Sequence, residues 1–182
     1  MTDSMEESVI ASELIYDGRI VHLYRETVRL PNGQSVTREV VKHAGAVAIV
    51  PLDEAGNVIF VRQYRLPARQ SLLEVPAGTL EPGEEPLACA QRELQEETGY
   101  KAATFVPLGG IYTAPGYTSE FIHLFLATGL TESRLAPDED EFLQVVRLPL
   151  SDALKLIRTG EIADGKSVSA LLLADAHRRN VG

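Results

Sequence analysis

The sequence predicts an α+β fold: a mixed sheet flanked by helices, with a small antiparallel β-sheet at the N-terminal end. Three observations predict it. Short strand-like runs broken by turn residues recur from Ile20 to Leu148. Helical patterning is confined to three stretches, near 86–98, 151–158 and 167–179. Strands alternating with so few helices suit a sheet whose faces the helices cover.

Residues 1–8 read as a tail. Ile20–Leu30 alternates in polarity, and Pro31-Asn32-Gly33 links it to Ser35–Lys42 as a hairpin. His43-Ala44-Gly45 marks a boundary, which divides the chain into an N-terminal β region, 1–43, and a main domain, 44–182. Ala46–Leu52 and Val58–Tyr64 are apolar strands joined through Asp53–Asn57, and Leu72–Pro76 is a short one. Pro86–Thr98 is the clearest helix, because proline is tolerated in a first turn and Gly99 supplies the stop. Strands follow near Phe105–Tyr112, Phe121–Ala127 and Phe142–Leu148. Helices near Ser151–Arg158 and Ser167–Arg179 complete the order.

Composition narrows the function. The 182 residues are 45% apolar and 24% charged, which is ordinary globular chemistry and not disorder. The net charge of −9 argues against a nucleic-acid partner, which needs a basic footprint. A small phosphorylated ligand stays open, since a bound divalent cation inverts local charge. The one cysteine, Cys89, excludes a disulfide framework, and no reactive environment is visible around it. No apolar run approaches the ~20 residues of a membrane span. MTDSMEESVI carries no basic-then-apolar leader, so a cytoplasmic location is the default expectation.

The chemistry concentrates in Gly78–Tyr100, GTLEPGEEPLACAQRELQEETGY. On a helix, Glu93, Glu96 and Glu97 share one face, while Leu87, Ala90 and Leu94 mark another, apolar one. Like charges four residues apart destabilise an isolated helix, so the pair Glu93 and Glu97 calls for a compensating cation. Mg²⁺ supplies one, because it takes oxygen ligands from a few carboxylates plus substrate phosphates. Arg92 adjoins the cluster and can orient a carboxylate bidentately. The plain alternative is a solvated acidic helix.

Spacing decides between them. The segment resembles the Nudix box, G-x5-E-x7-R-E-U-x-E-E-x-G-U with U aliphatic, at Gly78, Glu84, Arg92, Glu93, Leu94, Glu96, Glu97 and Gly99. Tyr100 at the last aliphatic position is the one departure. The resemblance implies a Nudix hydrolase with an α/β/α sandwich, which cuts a diphosphate with Mg²⁺, or Mn²⁺ as a substitute. It implies Glu93, Glu96, Glu97 and the Ala77 carbonyl as metal ligands, Glu97 and Arg92 as catalytic and orienting groups, and Glu84 as a helper.

The flanks are similar to the ADP-ribose pyrophosphatase branch. Pro115 and Gly116 lie in a Y-x-x-P-G-x-x-x-E pattern after the box. Val36–His43, Gln63-Tyr64-Arg65, Leu73–Gly78 and the acidic run 137–141 extend the likeness over about 10–175. That branch implies hydrolysis of ADP-ribose to AMP and ribose 5-phosphate by a homodimer that exchanges its N-terminal sheet. Arg38 and Glu39 would then recognise adenosine or ribose, Arg65 would hold the diphosphate, and Pro115 and Gly116 would border the substrate. Tyr24 either stacks on adenine or packs on its strand neighbours. Glu139 is expected as general base, with Glu120 as its rival, and Glu141 near the metal. The alternatives are another nucleoside-diphosphate sugar or dinucleotide, or a non-catalytic ADP-ribose sensor. A sensor would tend to lose box glutamates, which are all present.

Overall fold

A computed structural model describes residues 5–133 and 142–181. The chain divides into two compact units. One holds the chain through Ala44 together with Tyr112–Phe121, and the other holds Gly45–Ile111 and the chain from Ile122 onward.

In the first unit, β1 (Ser8–Asp17), β2 (His22–Arg29) and β3 (Ser35–Lys42) form an antiparallel sheet in that order. The expected hairpin turn is present. Gly33 takes φ 85°, and its N–H bonds the Leu30 carbonyl. A positive φ at this position favours glycine. β1 itself was not expected. All ten of its residues are exposed and its pairing shifts register twice, so no buried alternation betrays it.

The second unit contains β4 (Ala46–Pro51), β5 (Asn57–Arg65), β6 (Gln70–Glu74), β7 (Ala77–Thr79), α1 (Pro86–Thr98), β8 (Tyr100–Tyr112), β9 (Phe121–Glu132), β10 (Gln144–Pro149), α2 (Leu150–Thr159) and α3 (Gly165–Val181), the ends of β8 and β9 reaching into the first unit's segment. One sheet runs β7-β4-β9-β8, with β4 antiparallel to β7 and parallel to β9. The other runs β10-β5-β6, antiparallel throughout.

β4 shows how the layers arise. Every residue of AVAIVP is buried, as a continuous apolar run should be when both faces of a strand are covered. Successive side chains point to opposite faces. Ala46, Ala48 and Val50 join Phe60, Leu124, Ala170, Leu171 and Ala174 in one core. Val47 and Ile49 join Cys89, Ala90, Leu94, Phe125 and Ala127 in another. Thus α3 covers one face and α1 the other, the helix–sheet–helix layering of the expected sandwich.

α1 ends where the sequence indicates. Pro86 occupies its first turn and Gly99 closes it at φ 74°. Its apolar face differs in one place. Leu87 stays exposed, because the first turn at Leu87 and Ala88 lies outside the packed layer, and Cys89 takes the buried position instead. The expected strand Leu72–Pro76 also divides: β6 stops at Glu74, and three residues of β7 restart pairing on β4. No helix among the described residues is long and apolar enough to cross a membrane.

Candidate active site

The helix α1 sets the site. Packing Cys89, Ala90 and Leu94 against the sheet turns the acidic face outward. Arg92 organises that face. Its Nε and Nη2 donate to the two oxygens of Glu84 at 3.1 and 3.0 Å, a bidentate clamp. Its Nη1 donates to Glu93 at 2.6 Å and to Glu96 at 3.0 Å. One guanidinium therefore holds three carboxylates. The Glu84 bond, then the charge of Glu93, raises the Arg92 pKa further above its ordinary value. Glu84 also accepts the Glu81 N–H at 3.0 Å, which ties the loop before the helix to the helix. The Arg92 bond, followed by the Glu81 N–H, pulls the Glu84 carboxyl down to about 2.

Glu97 lies deeper and is only 6% exposed. Its Oε2 accepts the Ala77 N–H at 3.0 Å, so the start of β7 is fastened to the last turn of α1. Gly78 follows. A Cβ on it would lie 1.9 Å from the Glu93 carboxyl carbon, so the missing side chain is the space that carboxylate occupies. Gly78 is thus required by close approach and not by backbone φ.

These donors fit a hard divalent cation: carboxylate oxygens on one face, in a cradle that a methyl group would fill. Among the described residues, no three acidic, His or Cys groups converge tightly enough to hold a metal as arranged. Arg92 offsets only part of their charge.

Cys89 is buried beneath this face, with Sγ 3.5 Å from Arg92 Nη2 and 3.6 Å from the Thr79 carbonyl. Burial, then the charges of Glu84 and Glu93, pushes its thiol up to about 12, so it is an inert packing group.

Arg65 ends β5, and its Nε and Nη2 donate to Glu74 at 2.9 and 2.8 Å. In the first unit, Arg38 of β3 makes a bidentate pair with Glu7, and Glu39 stands opposite Arg25 in register. Pro115 and Gly116 form a turn in which Tyr117 and Thr118 donate to the Ala114 carbonyl. That turn returns to β3 through Val41 N–H to the Tyr117 carbonyl and Ser119 N–H to the Val41 carbonyl. Glu120 accepts the Thr113 hydroxyl at 2.7 Å and faces His43 Nε2 at 3.6 Å. Lys42 Nζ sits 4.0 Å from the Tyr24 ring centroid, a cation–π contact. Glu139 and Glu141 lie outside the described residues. The sequence reading missed Glu74, Asp164 and Lys166 as partners around Arg65. Their spacing of 9 and 92 residues in pairs leaves no local signal.

The family model described as the NUDIX domain matches residues 42–171. The chain belongs to the Nudix family. A second model, the nucleoside diphosphate sugar hydrolase N-terminal domain, matches residues 7–41. The chain is 46% identical over 170 residues to the ADP-ribose pyrophosphatase of Bacillus subtilis (strain 168), covering 92% of each. It is 44% identical over 168 residues to the methanol dehydrogenase activator of Bacillus methanolicus, covering 91% of each. A crystal structure of an ADP compounds hydrolase superposes with a TM-score of 0.88 at 26% identity, covering 100% of this Nudix chain and 99% of that one.

Proposed function

We propose that this Nudix hydrolase cleaves the diphosphate of ADP-ribose with water to give AMP and ribose 5-phosphate, using Mg²⁺, with Mn²⁺ as a substitute. The observation that carries the chemistry is the Arg92-ordered face with Glu93 seated against Gly78. The Bacillus subtilis relative, 46% identical over 92% of both chains, supports the substrate.

Glu93, Glu96, Glu97 and the Ala77 carbonyl are the groups that would hold the metal. Bound there, a divalent cation neutralises the diphosphate and lowers the pKa of an attacking water. Glu97 supplies a buried anion fixed by the Ala77 N–H. Arg92 keeps Glu93 and Glu96 in one orientation, so little reorganisation is left for the reaction. Arg65 binds the diphosphate. Glu74 takes two of the five N–H donors of its guanidinium, which does not exhaust the fork. Arg38 and Glu39 recognise the nucleoside, and the Pro115-Gly116 turn borders it. Glu139 takes the proton from water and Glu141 assists near the metal. Water attacks one phosphorus, and the bridging oxygen leaves with the other phosphate.

Residues 1–43 form the dimerising region and 44–182 the catalytic domain. The exposed apolar residues of β1, Val9, Ile10, Leu14, Ile15 and Tyr16, support a homodimer built on this sheet. The protein works in the cytoplasm, and neither nucleic acid nor membrane is its partner. The test is turnover of ADP-ribose, ADP-glucose, GDP-mannose and NADH by purified protein with Mg²⁺. ADP-ribose is expected to have the highest kcat/KM. Negligible turnover of it beside rapid turnover of another compound contradicts the assignment.

A further inference from the structure

A second cluster of charge lies where β6 meets the start of α3. Glu74 is 1% exposed. Its carboxylate is shared by two cations: Arg65, bidentately, and Lys166, whose Nζ lies 2.5 Å from Oε2. Burial pushes the Glu74 carboxyl up, but the bonds and charges of Arg65 and Lys166 outweigh it and keep it ionised. Lys166 Nζ also donates to Asp164 Oδ1 at 2.9 Å. That same oxygen accepts the Ser167 N–H at 3.1 Å, which caps the first turn of α3. The other Asp164 oxygen is buried with no hydrogen-bond partner among the described residues.

The stitching repeats one residue on. The Ser167 hydroxyl accepts the Val75 N–H at 2.9 Å, and Ser167 is fully buried. Consecutive residues of α3, Lys166 and Ser167, therefore grip consecutive residues of the chain, Glu74 and Val75. Glu74 in turn grips Arg65. Two cations and two anions pair within this frame, and the charge of Glu97 also reaches Arg65.

We propose that Lys166 is a positioning residue for the substrate diphosphate, acting through Glu74 to set the orientation and effective charge of Arg65. The proposal rests on the reading of Arg65 as a diphosphate ligand. While Lys166 shares the buried carboxylate, Arg65 is only half of its counterion, and its remaining donors can engage a second anion. Without Lys166, Arg65 alone must balance Glu74. It is then drawn inward, and the local charge facing an anionic substrate falls. Asp164 and Glu74 are also left to repel each other across the emptied position. The loss falls on substrate binding, far more than on the bond-breaking step.

The test is a double-mutant cycle with steady-state kinetics on ADP-ribose. Lys166→Met is expected to raise KM about tenfold with kcat within about twofold, and Lys166→Arg to recover most of it. In an Arg65→Met background, Lys166→Met should add less than about twofold, because both act through one contact. Independent, multiplying effects would overturn the proposal, as would an unchanged KM in Lys166→Met beside a raised KM in Arg65→Met. An unchanged KM in Arg65→Met itself would refute the role of Arg65, a separate failure that takes this proposal with it. Should Lys166→Met not fold, Asp164→Asn loosens Lys166 without removing it. It is expected to raise KM in the same way, and an unchanged value overturns the proposal.

Discussion

Two crowded sets of charges lie in the second unit, and they are built on opposite principles. On α1, a single guanidinium, Arg92, serves Glu84, Glu93 and Glu96, with Glu97 on the next position. At the start of α3, Arg65 and Lys166 are matched by Glu74 and Asp164. The first set is left strongly negative and the second is neutral. Both sets mix covered anions with a more open guanidinium: Glu74 is 1% exposed beside Arg65 at 42%, and Glu84 is 14% exposed beside Arg92 at 28%. A surplus of carboxylates at a partly open face leaves charge for an outside cation to complete. A balanced set anchored on a buried carboxylate serves as a frame.

Substitutions should therefore affect the two regions in opposite ways. The largest expected effect is on the balanced frame. Glu74→Gln removes one partner from a buried set and should cost about 3–5 kcal/mol of unfolding free energy, measured by urea denaturation. A cost below about 1 kcal/mol would show that the frame is not a stability element. On the surplus face, Glu93→Gln keeps shape and removes charge. It should lower kcat about a hundredfold or more at saturating Mg²⁺ while leaving the urea midpoint unchanged or higher. Full activity would remove Glu93 from the metal set.

Gly78→Ala gives a finer distinction. The introduced methyl meets the far end of a flexible side chain, so the fold should persist while the Glu93 carboxylate is displaced. Activity should fall roughly ten- to a hundredfold, as expected for a misplacement of about 1 Å, with thermal stability close to that of the unmodified protein. The smallest effect concerns acid stability. The folded state holds Glu84 at about 2 against an ordinary 4.5. Its stabilisation is therefore present above pH 4.5 and is lost as pH falls toward 2. Thermal melts across that window should fall less steeply for Glu84→Gln than for the unmodified chain. Parallel curves would mean that the clamp to Arg92 adds nothing to stability.

The two regions also differ in how far the sequence discloses them. The acidic face is local. Helical spacing places Glu93, Glu96 and Glu97 together, and Pro86 and Gly99 delimit the helix that carries them. The continuous apolar run of β4 likewise announces a strand covered on both sides. The frame is not local, since Lys166 reaches Glu74 across 92 positions, and the segment Leu73–Gly78 that holds Glu74 gives no sign of that partner. Arg65 was singled out for the diphosphate, but its buried partner could not be. β1 was missed for a different reason: Ser8–Asp17 buries none of its residues, so periodicity had nothing to report. β7 is three residues long and exists because β4 offers it an edge. Leu87 misled because helical spacing gives a direction, whereas burial also requires something to pack against.

The surplus charge on α1 can be tested by crystallography with Mn²⁺ and a non-hydrolysable ADP-ribose analogue, recording anomalous scattering at the manganese edge. A peak bonded to oxygens of Glu93 and Glu97, with the analogue's diphosphate on its far side, is the predicted result. Ordered analogue with no anomalous peak beside those glutamates would contradict it.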